Sequence, residues 1–465
     1  MPDPVRSLQD AKPVPYWLDD PGRPAALPAL VGDVRCDLLV VGGGYSGLWT
    51  ALIAKERHPE RDVLLIEAQE TGWAASGRNG GFCEASLTHG TFNGHQRWPA
   101  EMHALEQLAE RNLRGIEETI RSYGMDCDWE RTGSITVATE PHQLADLEEL
   151  HQLGTRYGGD LAVLDREQLR AEIDSPTFLG GVWDRSGVAM VHPAKLAWGL
   201  KQACLDLGVR IHENTKATAL EESGPGIAVR TSYGRVLARQ VALATNAFPS
   251  LVRRHRFYTA PVYDYALMTE ALTAEQLAAV GWQRRQGWAD AANQFHYVRL
   301  SADNRILFGG YDAVYRPGQG VRAERDQRPQ TFATLARHFA RTFPQLDGVR
   351  FTHAWGGAID TCSRFSAFFD LGYRGRVAYA AGYTGLGVGA TRFGAEVMLD
   401  LLAGERTERT ALEMVRRKPL PFPPEPARSI GIGLTKWSMA RADANGGRRN
   451  LWLRALDKAG LGFDS

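Results

Sequence analysis

A chain of 465 residues is longer than one hydrophobic core usually grows, so two or more compact units are expected. Lys plus Arg equal Asp plus Glu at 54 each, which leaves no global field to draw in nucleic acid, and no window reaches the roughly 18 apolar residues of a membrane span. The five cysteines, at 36, 83, 127, 204 and 362, are odd in number and show no C-x-x-C spacing, so the pattern points to no metal and no disulfide framework, but to reduced thiols in a cytoplasmic protein.

Met1 to Leu30 is rich in Pro and Asp and lacks the basic, apolar and small-residue order of a signal peptide, so secretion is not implied. The apolar run Cys36 to Val41 leads straight into Gly42, Gly44 and Gly47, spaced as G-x-G-x-x-G. That spacing permits a tight strand-to-helix turn, approach of backbone to a pyrophosphate, and close packing of helix on strand. A helix is predicted over Leu48 to Arg57, stopped by His58-Pro59, and Val63 to Ile66 reads as the second buried strand. It ends in Glu67, twenty residues past Gly47, where a carboxylate would accept hydrogen bonds from ribose hydroxyls. Strand, turn, helix, strand and acid in register predict a dinucleotide site.

The loop Ser76-Gly77-Arg78-Asn79-Gly80-Gly81 offers converging amides and polar donors, although alone it reads as a surface turn with a solvated Arg. Helices are predicted over Pro99 to Tyr123, His142 to Gly154 and Arg166 to Ile173, with a strand at Ser134 to Thr139. Pro193 to Leu207 reads as a helix, followed by strands at Val209 to His212, Ile227 to Thr231 and Val236 to Ala244. The small residues Ala244-Thr245-Asn246-Ala247 suit backbone lying against a ligand, or an ordinary turn. Pro261 to Gly310 has the texture of a second sheet, with aromatics at Tyr263, Tyr265, Phe295, Tyr297 and Phe308. A last strand, Val377 to Ala381, meets the glycine-rich loop Gly382 to Gly389, which opens a helix ended by Gly404. A Pro-rich linker, Pro419 to Pro426, leads to a basic tail containing Trp437 and Trp452.

Taken together, these motifs resemble the D-amino-acid-oxidase-like (DAO) superfamily of FAD-dependent oxidoreductases. The resemblance rests on Gly42 to Gly47 with Glu67, Ser76 to Gly81, Ala244 to Ala247, Leu307-Phe308-Gly309-Gly310, Trp355-Gly356-Gly357 and Gly382 to Gly389. It runs to about residue 410, and the Ser-Gly-Arg-Asn-Gly-Gly and Trp-Gly-Gly runs bring it nearest to the gamma-glutamylputrescine oxidoreductase-like proteins.

The resemblance implies an α/β fold in which a glutathione-reductase-type FAD-binding domain is interleaved with an antiparallel-rich α+β substrate domain. The FAD-binding unit is expected at 31–95, 187–255 and 352–410, the substrate unit at 96–186 and 256–351, and a linker and tail at 411–465. Non-covalent FAD would be held by Gly42, Gly44, Tyr45, Ser46, Gly47 and Glu67 in the first motif and by Ser76, Arg78, Asn79, Gly80 and Gly81 in the second. Lys216, Ala217, Ala244 and Thr245 would meet it from the middle of the chain, and Gly356, Gly357, Gly382, Thr384, Gly385, Leu386, Gly387 and Val388 from the C-terminal motifs. Tyr263, Tyr265, His296, Tyr297 and Arg299 are expected to contact substrate, with His353 and Trp355 beside the ring. Aromatic walls suit an amine and Arg299 could grip a carboxylate, although aromatics on strands are commonly core.

The implied activity is oxidation of a primary or secondary amine, or an amino acid, to an imine by hydride transfer to flavin N5, followed by hydrolysis. Oxygen, giving hydrogen peroxide, is the favoured acceptor. Phe308 and Gly389 stand where sarcosine-oxidase-like relatives carry lysines, which leaves another acceptor open. The alternatives are an amino-acid dehydrogenase of the D-amino-acid or sarcosine type, an NAD-dependent dehydrogenase, which has no use for the second glycine loop, and a flavoprotein whose flavin is structural.

Overall fold

The computed structural model describes residues 4–318 and 320–462. Two sheets organise them. In the first, five strands run parallel in the order Val377–Ala381, Gly234–Leu243, Gly32–Val41, Val63–Ile66 and Arg210–His212. Parallel strands are covered on both faces and therefore read as continuous apolar runs. All four residues of Val63–Ile66 and all five of Val377–Ala381 are buried. Phe368–Gly372 pairs antiparallel at one edge, and Ala219–Ser223 with Gly226–Arg230 folds off as a meander from Gly234–Leu243.

The second sheet has nine strands among the described residues, eight of them in the order Val314–Tyr315, Ala260–Thr269, Ile306–Gly310, His296–Leu300, Gly287–Asp290, Ser134–Ala138, Gly180–Asp184 and Leu161–Leu164. The ninth, Phe351–Thr361, lies along the other side of Ala260–Thr269. Its outer face carries the helix Pro329–Thr342, whose Phe332, Leu335, Ala336 and Phe339 share a core with Tyr263, Tyr265 and Leu267. The α/β fold with a separate antiparallel-rich sheet is as expected from the motifs. Two expected boundaries move. Phe351–Thr361 pairs in the substrate sheet, so the chain re-enters the dinucleotide sheet only at Phe368 and not at 352. The helix Met102–Ser122, placed in the substrate unit by sequence, gives Met102, Leu105, Leu113 and Ile116 to the core around the dinucleotide helices.

Both termini bridge the units. In the N-terminal arm Trp17 is buried and its Nε1 donates to the Asn79 carbonyl (2.9 Å), Lys12 joins Phe351–Thr361 through its own amide on Thr352 (2.8 Å), and the Leu27 amide donates to Glu213 (2.5 Å). The basic tail is a docked hairpin of two helices, Ala427–Asp443 and Leu451–Lys458. Asp443 accepts from the Asn293 amide (3.0 Å) and side chain (2.6 Å), Lys436 pairs with Asp312, and Arg97 donates to the Gly462 carbonyl (3.1 Å).

Asp370 fastens the start of this tail. Burial alone would raise its pKa, but hydrogen bonds from His255 (2.5 Å), Lys418 (2.7 Å) and Arg254 (2.6 Å) outweigh that and hold the carboxyl well below the usual range. A depressed folded pKa contributes stability above the unfolded value of 3.8 and loses it as pH falls further. Asp370→Asn should cost about 3–5 kcal/mol at pH 7 by removing the negative charge and one of the two acceptor oxygens that the three donors share. In denaturant titrations the difference between variant and parent should narrow below about pH 4. A constant difference down to pH 2 would contradict the assignment.

Candidate active site

A cavity of about 1830 Å³ separates the two sheets, and its floor follows from strand register. One row crosses the substrate sheet through Trp355, Ala266, Gly309, Tyr297, Ala289, Thr136 and Val182. The six strand-to-strand steps span roughly 29 Å at about 4.8 Å each. Small residues keep this row low. A Cβ at Gly309 would come 2.5 Å from the Tyr297 ring and one at Gly80 would come 2.7 Å from its other side, so the ring lies between the Ser76–Gly81 loop and the floor. The Tyr297 hydroxyl donates to Asp264 Oδ2 (2.6 Å), and burial pushes this carboxyl up to about 6.

At one end the wall is the predicted dinucleotide motif. Gly42, at φ +116°, passes against Ala244, where a Cβ would lie 2.4 Å from the carbonyl oxygen. Gly44, Tyr45 and Ser46 line the cavity at the N-terminus of the helix Tyr45–Arg57, where the macrodipole is positive. Gly47 is turned inward and serves packing. Glu67 lies at the rim. Its Oε2 accepts from the Gly43 amide (2.6 Å) and its Oε1 from Gln69 N and Trp73 Nε1 (both 2.9 Å), while burial raises its pKa against those bonds. Lys216, Ala217, Ala244 and Thr245 also line this end.

The Ser76–Gly81 loop is held by its own side chains. Ser76 Oγ accepts from the Tyr45 amide (2.9 Å), Asn79 Oδ1 accepts from Gly81 N (2.8 Å), and Arg78 bridges Trp73 O, Gly356 O and Asp326. Opposite stands Gly382 to Val388. Asp360 accepts from the amides of Gly382 (2.6 Å) and Tyr383 (3.3 Å) and is pushed up to about 6 by burial despite those bonds. The Thr384 side chain accepts from Cys362 N (3.3 Å). Gly385, Leu386, Gly387 and Val388 line the cavity ahead of the helix Gly387–Ala403, so free helix-start amides face it. Gly357 also lines the cavity, whereas Gly81, Gly356 and Gly382 do not: a Cβ at Gly356 would meet the Tyr265 ring, and Gly382 needs φ +79° to turn past Cys362.

Of the expected substrate contacts, Tyr297 and Trp355 lie on the floor, with Trp355 Nε1 donating to the Arg78 carbonyl (2.9 Å). Tyr263 does not line the cavity; it is buried in the outer core with its hydroxyl on Arg322. Tyr265 touches the cavity wall but packs on Phe332 and donates to Arg325 O (2.9 Å). His296 is turned outward between Asp290 (2.6 Å) and His338 (2.9 Å). Arg299 is fully buried and donates to the carbonyls of Val191 (2.7 Å), Gly81 (3.2 Å) and Leu300 (3.0 Å), so it ties the loop to the sheet and is not free to grip a carboxylate. His353 bonds Asp19 (3.0 Å) under the N-terminal arm, outside the cavity. Phe308 faces the outer core.

Sequence reasoning missed Asp264, Asp360, the carboxylates Glu84, Glu106 and Asp184 in the wall, and the tail residues Trp452, Leu453 and Leu456 that cover it. A charged residue inside an otherwise apolar strand was the available signal for Asp264 and Asp360.

Comparison with known proteins decides the family. Residues 37–401 match the family described as "DAO: FAD dependent oxidoreductase". The chain belongs to the DAO family. Among curated relatives it is 33% identical over 417 residues to gamma-glutamylputrescine oxidoreductase of Escherichia coli (strain K12), covering 87% of this chain and 92% of that protein. Solved structures with the same fold include glycine oxidase from Geobacillus kaustophilus (TM-score 0.67, 18% identity, 83% of this chain and 99% of that one). L-proline dehydrogenase from P. horikoshii is another (TM-score 0.68, 15% identity, 82% and 96%).

DAO-family proteins are FAD-dependent, and the residues here fit that cofactor. The cavity runs without interruption from Lys216 and Ala217 past Gly44 to Gly385–Val388. Gly385, at φ +97°, has no atom within 4 Å of where its Cβ would stand, and the space it leaves opens on the cavity. No helix is long and apolar enough to cross a membrane among the described residues.

Proposed function

We propose that this DAO-family chain oxidises an amine to an imine, which water then converts to a carbonyl compound and ammonia or a smaller amine. The observation that carries this reading is the continuity of the FAD cradle with a chamber floored by Trp355, Tyr297 and Asp264. Bound in the cradle, FAD supplies the acceptor for the hydrogen and electron pair that leave the carbon beside nitrogen. The amides of Gly385, Gly387 and Val388 present the positive end of a helix to it. As C=N forms, the nitrogen gives up a proton. Asp264 is able to take it, since burial pushes its carboxyl up to about 6 and the Tyr297 hydroxyl donates to the carboxylate that receives the proton. Trp355 and Tyr297 hold the alkyl chain and exclude water.

The name of the relative at 33% identity makes mono-acylated diamines the first substrates to try. Oxygen is taken as the acceptor, in the cytoplasm, where the five buried free cysteines stay reduced. Anaerobic flavin absorbance against mono-acylated diamines, simple amines, N-methyl amino acids and D-amino acids tests the reading. Bleaching by an amine, reversed promptly by air, is the expected result. Bleaching that air reverses only slowly points to a separate acceptor, and no bleaching by any member refutes amine oxidation.

A further inference from the structure

The C-terminal hairpin has two apolar faces, and only one of them is covered. Ile432, Thr435 and Met439 of Ala427–Asp443, with Trp452, Leu453 and Leu456 of Leu451–Lys458, line the chamber. Trp452 Nε1 donates to Thr435 Oγ1 (2.9 Å) and the Asn450 side-chain amide to Ser438 Oγ (2.9 Å), which holds the two helices side by side. What each helix turns away from the chamber therefore lies on one outer surface.

Helical period fixes the residues of that surface. Ile430, Leu434, Trp437 and Arg441 follow at steps of four, three and four, which keeps them on one stripe, and Leu451, Arg454 and Lys458 follow at steps of three and four on the second helix. Ile430 is 66% exposed, Trp437 55% and Leu451 83%. With Leu434 they make four of the ten exposed large hydrophobic side chains among the described residues, gathered on two neighbouring helices. Apolar side chains scattered singly over a surface are ordinary, whereas a row of them marks a contact.

The charge on the hairpin is one-sided as well. Residues 427–458 hold seven Lys and Arg against two Asp, in a chain that is neutral overall. Both acids are engaged: Asp443 accepts from the Asn293 side chain (2.6 Å) and Asp457 pairs with Arg449 (2.7 Å). Lys436 is paired with Asp312. Arg441, Arg448, Arg454 and Lys458 are exposed, and among the described residues no carboxylate lies within ion-pair distance of any of them. The Arg441 guanidinium stands 5.5 Å from the centre of the Trp437 ring, so basic and apolar groups are interleaved on the same face. Because the whole chain is neutral, the rest of it carries the matching acidic excess. An anionic surface thus attracts the hairpin, repels the remainder and orients the molecule.

That combination selects among occupants. A second copy fits poorly, since a two-fold contact would set the four cations against their own images with no acid between them. A phospholipid surface supplies what the face lacks: hydrocarbon for the apolar row, phosphates for cations on long stems, and a headgroup layer in which Trp is favoured. The polar and chamber-lining groups on the other side of each helix keep the hairpin lying on such a surface rather than crossing it.

We infer that the outer face of the hairpin docks on an anionic phospholipid surface, with Ile430, Leu434, Trp437 and Leu451 among the acyl chains and Arg441, Arg448, Arg454 and Lys458 on the phosphates. The element that covers the chamber is then the one that touches lipid. Which compound the enzyme oxidises does not enter this inference.

Flotation of the flavin-loaded full chain with lipid vesicles tests it. One set of vesicles is phosphatidylcholine alone, and the other is equal parts phosphatidylcholine and phosphatidylglycerol. The protein should float with the anionic vesicles at low salt and be released by high salt. Arg441→Glu combined with Arg454→Glu should weaken binding roughly thirtyfold or more. Trp437→Ser should weaken it roughly tenfold. Flavin content should stay at the parent's level in both, since none of these side chains lines the chamber. If Trp437→Ser loses flavin, the arginine pair decides, because both side chains lie in solvent. No flotation, equal flotation with the neutral vesicles, or flotation that ignores both sets of substitutions overturns the inference. So does a dimer that fails to float and that Trp437→Ser dissociates, which would give the face to a second copy.

Discussion

Replacing Gly47 by alanine should leave a chain that no longer retains flavin. The new Cβ would sit 1.8 Å from the Gly42 carbonyl oxygen and 3.2 Å from Val40 Cγ1. Both neighbours belong to the central strand or the turn that leaves it, so no flexible side-chain tip can move aside. The helix cannot retreat either, because Leu48, Trp49, Ala51 and Leu52 are fully buried beneath its neighbours. Relief must come from lifting the helix start, and that carries the Gly44 to Ser46 backbone away from the cradle. Overpacking of this kind costs about 1–3 kcal/mol, equivalent to a roughly five- to 150-fold loss of cofactor affinity if it falls on the bound state. The ratio of flavin to protein absorbance after gel filtration measures it. Near-stoichiometric flavin in the variant would show that the turn adapts and that the packing argument is wrong.

Ending the chain before Ala427 should raise KM for the amine by roughly ten- to a hundredfold while flavin stays bound. The cofactor cradle is complete by Val388, so the loss of the hairpin removes none of it. What disappears is the cover: Thr435, Met439, Trp452, Leu453 and Leu456 line the cavity from the solvent side, and Asp443 anchors them through Asn293. Water then reaches the chamber, which weakens both the aromatic contacts and the charge interactions inside it. Steady-state kinetics beside the flavin content would separate the effects. Unchanged KM would mean that the hairpin is ornamental to substrate binding.

The dinucleotide half was legible because its signals are local. Gly42, Gly44 and Gly47 fall in one recognisable spacing within six residues, and Val63–Ile66 and Val377–Ala381 are apolar throughout because both faces are covered. The substrate half was not legible to that degree. On Ala260–Thr269 the conspicuous residues are Tyr263 and Tyr265, but period-two alternation sends them to the outer core and leaves Asp264 and Ala266 on the cavity. Which parity faces inward is decided by Phe332 and Phe339, some seventy residues downstream, and no window on the strand contains that information. Arg299 misled for a related reason: the carbonyls that consume it, at Gly81 and Val191, are more than a hundred residues away.

The interleaving of the two sheets governs when this chain can become a flavoprotein at all. Gly32–Val41 is among the first segments to leave the ribosome, yet one partner, Gly234–Leu243, arrives two hundred residues later, and the strand that flanks that partner, Val377–Ala381, later still. Until then the nascent chain carries apolar strands with unsatisfied edges, a state prone to aggregate and dependent on chaperones. Flavin capture must therefore wait until the chain has been made to about Val388: cofactor loading is a late event of synthesis or a later one, and yield of holoprotein should depend on how long the waiting strands are shielded.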